Sequence, residues 1–259
     1  VADPYSRLRI SEQALVITPF HQAANRIREM IRGADRHGSC GVGVGETVED
    51  AFSHPENRIL AGDLYDPVML RQKLTSIRKH KRDQINSLLK DDTNDSVLAQ
   101  EYEVFERDEV LDAWVASVAR IAELGMVVPD SALRHWLHET EVAIFEGAQG
   151  VLLDGDAGFH PYTTWSRCTT ANAVELIQEL VPNATIHKIG VMRSYTVRHG
   201  PGPLPTETGT LASVISEHNT INDWQGSVRY GWFDAVLARY AIDVTGGVDS
   251  LMITHMDML

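Results

Sequence analysis

Apolar positions recur at three- and four-residue spacing through much of the first half of the chain, which is the period of an amphipathic helix. This spacing predicts a helix over residues 19–32 and another over 66–90, which opens with an Asp-Pro pair typical of an N-cap and first helical position. A longer helix is predicted over 97–124, and a further one begins at 129–130. The first half is therefore expected to be mostly helical, with residues 66–140 forming a helical subdomain.

Short apolar runs that end in polar loops predict β-strands, mostly in the second half. The predicted strands cover residues 14–18, 141–147, 186–197 and 250–257, and the predicted helices between the later ones cover 169–180 and 232–244. Strands that alternate with helices in this way form parallel sheets joined by crossover helices. The expected fold class is therefore α/β, with a mainly parallel sheet plus the helical subdomain in the first half. The polar run 90–95 is expected to be a linker.

Composition and charge narrow the class of protein. The 259 residues are 43% hydrophobic and 23% charged, and 36 acidic against 23 basic residues give a formal net charge of −13. Nucleic acid is not an expected partner, because there is no basic excess to displace counterions. No membrane partner is expected either, since no apolar run reaches the ~20 residues of a membrane span. Two cysteines outside any CxxC pair favour a reducing compartment, and we expect a cytoplasmic protein.

Two further segments, one basic and one rich in glycine, could be either structural or functional. The basic run IRKHKRD, residues 77–83, is expected to be a solvated helix face. The segment GSCGVGVG, residues 38–45, is a poor dinucleotide fingerprint, because it follows a predicted helix and no clear helix is predicted directly after it. Its glycines could expose backbone N–H groups to a phosphate, or the segment could be a plain loop.

The stretch FEGAQGVLLDGDAGFHPYTTWS, residues 145–166, follows a predicted strand and is strongly polar. Such a sequence fills a core poorly but can surround a small polar ligand with hydrogen bonds. The amide of Gln149 can donate and accept at once, which suits a purine edge. Asp154 and Asp156 are expected to form turns rather than to share a metal ion. Because ligands of parallel sheets bind at the carboxyl ends of the strands, this stretch is a candidate site.

Two other predicted strands also end in polar residues. The segment TVRHGPGPLPTE, residues 196–207, is expected to be a rigid loop with Arg198 at its root. The strand ITHMD ends in Asp257, whose carboxylate could accept hydrogen bonds from guanine N1 and N2.

In this order, these segments resemble the adenylosuccinate synthetase family over nearly the whole chain. The most specific are FEGAQGVLLD, HPYTTWS, YTVRHGPGPLPTE and GWFDAVLARYA. The resemblance implies a P-loop NTPase-like α/β fold and a ligase of purine biosynthesis that joins aspartate to IMP. It further implies GTP and Mg²⁺ as cofactors, a homodimer, and IMP, GTP and aspartate or another amine as small-molecule partners.

The resemblance also assigns roles to single residues. The implied IMP contacts are Gln149, Thr164, Cys40, Arg58, His199 and Gly200. Within that set, Cys40 stands where the family has a phosphate-binding threonine, and Arg58 stands for an arginine that reaches the neighbouring subunit's IMP site. The implied guanine contacts of GTP are Asp257 and His255, and Arg229 is what remains of the family's arginine-rich amine-substrate loop.

Several family motifs do not occur in the 259 residues. The WGDEGKGK loop carries a catalytic Asp and a Mg²⁺ ligand, and the GGHNAGH segment carries a catalytic His, so no catalytic or metal residue is assigned here. The resemblance therefore implies a truncated or divergent member that lacks the N-terminal phosphate loop and the C-terminal segment, and we expect this chain alone to be inactive. Two alternatives stay open: a non-catalytic purine-nucleotide-binding or regulatory homologue, and a ligase with another amine or purine substrate.

Overall fold

The computed structural model describes residues 3–89, 95–215 and 223–258. The chain divides into two compact units, unit 1 (Val1–Glu139) and unit 2 (Thr140–Leu259). The predicted subdomain at 66–140 stays a prediction, and the predicted linker lies mostly outside the described residues. The helices are α1 (Pro19–Arg32), α2 (Val44–Ser53), α3 (Pro67–Leu88), α4 (Ser96–Glu106), α5 (Asp108–Glu123), α6 (Asp130–Glu139), α7 (Ala171–Leu180), α8 (Gly209–Ala212) and α9 (Ala235–Val244).

The strands pair into three small sheets in the described part of the chain. They are β1 (Ile10–Ser11), β2 (Val127–Val128), β3 (Ile189–Arg193), β4 (Tyr195–His199), β5 (Val228–Trp232) and β6 (Ser250–Thr254). The pairs β1–β2 and β3–β6 are parallel, and Ile189 lies opposite Ser250 in the second pair. The pair β4–β5 is antiparallel, with Tyr195 opposite Trp232, which the sequence did not predict.

Most helix predictions are confirmed, and their end signals explain why. Thr18 caps α1 by accepting the His21 N–H, and Asp66 caps α3 by accepting two backbone N–H groups. The single helix predicted over 97–124 is wrong, because the chain is extended at Arg107 and separates α4 from α5. Two acidic residues open α5, where the helix dipole favours negative charge, so a fresh helix start is stabilised there.

Two predicted strands do not form. Residues 14–18 make only an isolated antiparallel bridge from Leu15 to Leu60 before α1 begins. The run 141–147 forms no regular secondary structure and is exposed, and Ile144 is 90% accessible. Its apolar sequence suits a buried strand, but no strand of the described residues pairs with it, so the ladder that would define the strand is missing.

The strand predicted over 186–197 is divided between two sheets. Ser194 separates β3 from β4, since its backbone N–H donates to Thr254 O (2.9 Å) and its hydroxyl donates to His255 O (2.7 Å). The helix predicted from residue 232 begins three residues later, because Trp232 ends β5 and Asp234 provides the N-cap of α9.

Unit 1 contains the larger hydrophobic core. Phe20 of α1 stacks on Phe105 of α4 with ring centroids 6.0 Å apart, and both rings are buried. Apolar side chains of α3 pack against the same core at helical spacing: Leu70, Leu74, Ile77 and Ile85. Unit 2 has a smaller core of Tyr195, Leu211, Ile215 and Tyr230.

A buried cluster of charges lies within unit 1. Lys81 of α3 is 0% exposed, and its Nζ lies 2.8 Å from Glu46 Oε2 and 2.7 Å from Asp50 Oδ1, both on α2. From α1, His21 Nε2 lies 3.2 Å from Asp50 Oδ2, and Arg28 Nε lies 3.3 Å from Glu46 Oε1. Burial alone would raise the pKa of Asp50, but hydrogen bonds from His21 and Lys81 lower it. The expectation of a wholly solvated 77–83 face is therefore wrong at Lys81.

Replacing Lys81 by alanine is expected to destabilise the protein by about 3–5 kcal/mol, because two buried carboxylates would lose their cation. Urea unfolding followed by circular dichroism measures the change. Lys79→Ala is the matched control, since Lys79 is an exposed lysine of the same helix, and it should change stability by less than about 0.5 kcal/mol. Equal losses in the two variants would contradict the structural role of the cluster.

Candidate functional site

In unit 1, side chains of α1 fix the glycine-rich segment from one side. The carboxylate of Glu29 accepts N–H bonds from Gly38 (2.8 Å) and Ser39 (3.4 Å). The Asn25 side chain donates to Ser39 Oγ (2.9 Å) and accepts the Gly43 N–H (3.2 Å). The segment is therefore an ordered loop, and part of its backbone N–H capacity is already used by a protein carboxylate.

The middle of this loop combines two exposed residues, Cys40 and Val42, with a buried one, Gly41. Within the described residues, the N–H groups of Cys40, Gly41 and Val42 have no hydrogen-bond partner. A helix does follow directly, because α2 starts at Val44, and its N-cap Gly43 provides no side-chain hydrogen bond. That corrects the sequence interpretation and makes the loop more suitable for an anion, since free amides and the helix dipole both favour negative charge.

Glycine at position 43 is required by close packing. Its φ of +96° belongs to the left-handed region, and a Cβ there would lie 2.8 Å from His21 C and Gln22 N on the first turn of α1. The loop and the start of α1 are therefore in direct contact. The two predicted site residues of unit 1, Cys40 and Arg58, are both exposed.

In unit 2, the buried carboxylate of Asp154 organises the 145–166 stretch. Asp154 is 2% exposed, and its Oδ1 accepts the N–H groups of Asp156 (2.8 Å) and Ala157 (3.0 Å). Its Oδ2 accepts the N–H of Cys168 (2.6 Å), which ties the two ends of the loop together. Burial would raise the pKa of Asp154, but these backbone donors lower it. The turn-forming interpretation of Asp154 agrees with this geometry.

Gln149 and Thr164 are brought together by that fold of the loop. Gln149 Nε2 lies 3.5 Å from Thr164 Oγ1, a long hydrogen bond, and the Gln149 side chain is exposed. The Thr164 N–H donates to Leu153 O (2.7 Å), which holds the threonine at this place. Gln149 has φ +66°, an uncommon backbone conformation for a residue other than glycine. An amide and a hydroxyl thus share one polar surface.

The loop after β4 is held by two arginines that lie opposite each other on β4 and β5. Arg198 Nε donates to Pro201 O (2.8 Å), and Arg229 Nη2 donates to Gly202 O (2.6 Å). Arg229 also forms an ion pair with Glu207, with a nitrogen–oxygen distance of 3.3 Å. Burial and the neighbouring Arg229 lower the pKa of Arg198. The predicted amine-loop residue Arg229 therefore already binds protein groups.

Hydrogen bonds to backbone oxygens hold two of the predicted IMP contacts, His199 and Gly200. His199 Nε2 lies 2.8 Å from Gly226 O, and the Gly200 N–H donates weakly to Ser227 O at 3.5 Å. The imidazole of His199 therefore contributes to loop structure. Its other ring nitrogen has no partner in the described ranges and remains available to a ligand.

The predicted guanine contacts lie just after β6. His255 has φ +58°, and its Nδ1 is 3.0 Å from Thr254 Oγ1, while its carbonyl accepts the Ser194 hydroxyl. Asp257 is exposed two residues further on. The side chain of His255 is therefore engaged locally, whereas the Asp257 carboxylate is open to solvent.

No group of three or more carboxylate, imidazole or thiol side chains within residues 3–89, 95–215 and 223–258 could hold a metal ion. None of these residues is therefore assigned to Mg²⁺. In the same ranges, no helix has the length and apolar content needed to span a membrane.

Sequence reasoning missed Glu29 and Lys81. A signal for Lys81 was available, since it lies four residues after Ile77 and four before Ile85, on the apolar face of α3. Glu29 has no comparable signal, because a helix surface glutamate and a loop-binding one look alike in sequence.

The whole chain is similar to proteins of one family. A family model described as "Adenylosuccinate synthetase" matches residues 1–259. The adenylosuccinate synthetase of Frankia alni is 36% identical over 265 residues, covering 98% of this chain and 56% of the relative. That of Nitrosomonas eutropha is 34% identical over 267 residues, covering 99% and 56%. The chain thus spans about half the length of the curated relatives it matches.

Two solved structures share the fold. The fully ligated adenylosuccinate synthetase from Plasmodium falciparum matches 100% of this chain and 57% of its own, with a TM-score of 0.72 at 20% identity. The cyanophage S-2L succinoaminodeoxyadenylate synthetase, solved with dGMP and dATP as an energy donor, matches 95% of this chain and 57% of its own, with a TM-score of 0.56 at 20% identity. The α/β fold class with parallel strands is confirmed.

Replacing Asp154 by asparagine is expected to lower the free energy of unfolding by about 1–3 kcal/mol at neutral pH, because an amide group cannot accept N–H bonds on both of its ends. The folded-state pKa of Asp154 is lowered, so its carboxylate stabilises the fold above the unfolded pKa, and that contribution is lost as pH falls through the folded pKa. The difference between parent and variant should therefore shrink below about pH 4.

Denaturant unfolding over a range from about pH 7 to about pH 3 measures this difference. Asp156→Asn is the control, since the Asp156 side chain is 84% exposed and only its backbone N–H contacts Asp154. A difference between Asp154→Asn and the parent that does not vary with pH would contradict the role given to the carboxylate.

Proposed function

The chain belongs to the adenylosuccinate synthetase family, and we propose from this membership that it binds IMP and takes part in joining aspartate or another amine to it at the expense of GTP. The family comprises ligases of purine biosynthesis. In the proposed reaction the γ-phosphoryl group of GTP is transferred to IMP O6. The amine nitrogen then displaces that phosphate to form the new C–N bond.

The observation that carries this proposal is the meeting of Gln149 and Thr164 on the loop organised by Asp154. Gln149 would pair with the purine edge, because an amide can donate and accept at once. Thr164 would donate its hydroxyl to the nucleotide phosphate. Both side chains lie on an ordered surface without belonging to a core, which leaves them available to a ligand.

The loop at Cys40 supports a phosphate contact in unit 1. Its three unpartnered amides and the uncapped start of α2 favour an anion, even though a cysteine thiol is a weaker donor than the hydroxyl of a threonine. His199 and Gly200 would contact the ribose. Arg58, which is exposed, would reach the IMP of a second subunit in a proposed homodimer.

For GTP, the exposed Asp257 would accept hydrogen bonds from guanine N1 and N2, with His255 beside it. Bound Mg²⁺ would supply charge stabilisation during phosphoryl transfer. Since no group of three or more metal-ligating side chains occurs among the described residues, none of them is given a Mg²⁺-binding role.

A second candidate is a ligase whose amine substrate is not aspartate. The observation that favours it is the state of Arg229, whose guanidinium is bound to Gly202 O and Glu207. A dicarboxylate would have to compete with these partners. A less acidic amine would not need a free arginine here.

Gln149→Ala is expected to weaken IMP binding by about 1–3 kcal/mol, because purine hydrogen-bonding groups would lose their partner. Thr164→Val should weaken IMP but leave inosine nearly unaffected, since only the monophosphate would lose a donor. Calorimetric titration of the 259-residue chain with both ligands measures these changes, and thermal melts check the fold.

Ser166→Ala is a suitable control, because its backbone oxygen rather than its hydroxyl makes the contacts of the loop. It should bind and melt like the parent. If both test variants bind IMP like the parent, the assignment of this surface is wrong. If they melt much lower with binding intact, Gln149 and Thr164 are structural residues.

The 259-residue chain alone is expected to release no phosphate from GTP in the presence of IMP and aspartate. The reason is that the chain has no assigned catalytic residue, and that its described residues contain no group of three or more metal-ligating side chains. A phosphate-release assay with Mg²⁺ present tests this. Release that requires both IMP and the amine would refute the expectation and establish ligase activity directly.

A further inference from the structure

Three side chains from one turn of α1 contact the glycine-rich loop of unit 1. Asn25 and Glu29 bind its backbone and the Ser39 hydroxyl, and Arg26 Nε donates to Gly41 O at 3.0 Å. We propose that Asn25 and Glu29 are positioning residues, which hold this loop so that the amides of the exposed residues Cys40 and Val42 stay available to a phosphate. The proposal rests on the proposed binding of IMP.

The burial of Glu29 is the first argument. Its side chain is 2% exposed, and its carboxylate contacts loop amides and Arg32, whose Nη1 lies 2.7 Å from Oε1. A buried carboxylate is stable when it accepts charge-assisted hydrogen bonds. Here Glu29 binds the Gly38 and Ser39 amides, so an anion would have to bind the exposed residues that follow, Cys40 and Val42.

The Asn25 side chain contacts both ends of the segment 39–43. Its amide nitrogen binds Ser39 Oγ and its amide oxygen accepts the Gly43 N–H. The two contacts fix both ends of the segment 39–43. The Arg26 guanidinium holds the carbonyl side of Gly41 and is itself paired with Glu101 of α4 at 3.0 Å. The orientation of the peptide planes between Ser39 and Gly43 is therefore set from outside the loop.

A role in core packing does not explain this arrangement. Cys40 and Val42 at the centre of the loop are exposed, and none of the loop residues belongs to the hydrophobic core of unit 1. Three side chains of one helical turn thus order a surface peptide that contributes no apolar burial. Preorganised donors for a ligand account for such an arrangement, because an ordered loop binds without paying the entropy of ordering.

The test compares Glu29→Ala, Glu29→Gln and Asn25→Ala with the parent chain. Amide chemical shifts of Cys40, Gly41 and Val42 are followed by NMR during titration with inorganic phosphate, and IMP and inosine affinities are measured by calorimetry. Glu29→Ala and Asn25→Ala should lose the phosphate response and bind IMP about tenfold more weakly, with inosine unchanged. Glu29→Gln should keep part of the response, because its amide oxygen can still accept one N–H bond.

The matched control is Glu49→Gln, which neutralises a carboxylate of α2 that pairs with Arg28 at 3.5 Å and does not contact the loop. It should respond to phosphate like the parent. If Glu29→Ala folds and keeps the parent's phosphate response, or if the parent loop gives no response, the positioning role is overturned. If the parent responds to phosphate but does not bind IMP, the proposed function fails while the positioning role stands.

Discussion

The buried ion cluster around Lys81 is the constraint on which the arrangement of unit 1 depends. A fully buried ammonium group can only be stable when carboxylates surround it, and Glu46 and Asp50 both come from α2. Their further contacts with His21 and Arg28 fix α2 against α1. α2 begins at the end of the glycine-rich loop. The charges that hold α2 against α1 therefore also fix the end of that loop.

In each unit, a buried carboxylate orders a polar loop by accepting hydrogen bonds from backbone N–H groups. In unit 1 the Glu29 carboxylate binds successive loop amides, and in unit 2 the Asp154 carboxylate does the same across the 145–166 stretch. A buried carboxylate with several N–H donors stabilises a loop that cannot bury apolar surface. In both cases the residues left exposed are polar groups suited to a nucleotide: free amides near Cys40, and the Gln149 and Thr164 side chains.

The sequence was sufficient for the parts of the fold that depend on local signals. The Asp66-Pro67 start of α3 follows from capping chemistry, and the α/β order follows from the apolar periods. The apolar pattern at 141–147 could not show that no strand would form there, because a strand needs a partner strand and no described strand pairs with this segment. The break at Arg107 was missed although two acidic residues open α5 there, and the burial of Lys81 depends on carboxylates of α2 that lie far away in the sequence.

In the candidate site, too, some features follow from the local sequence and others from contacts between distant residues. The motif around Gln149 could be singled out from residues alone, because glycine, amide and carboxylate in succession favour a ligand over a core. That Arg229 is bound to Gly202 and Glu207, and that Glu29 binds the loop before Cys40, depends on contacts far apart in sequence. Such contacts decide which predicted groups remain available for a ligand.

Hydrogen–deuterium exchange with and without IMP is the direct test of whether the two polar loops contact the nucleotide, since it reports on both loops in the unmodified chain. If both loops contact IMP, the nucleotide should slow exchange at residues 38–43 and 145–166. Inosine, which lacks the phosphate, should slow exchange at 145–166 and leave 38–43 unchanged. Exchange that is the same in the presence and absence of IMP at both stretches would contradict the proposal that each of these loops contacts the nucleotide.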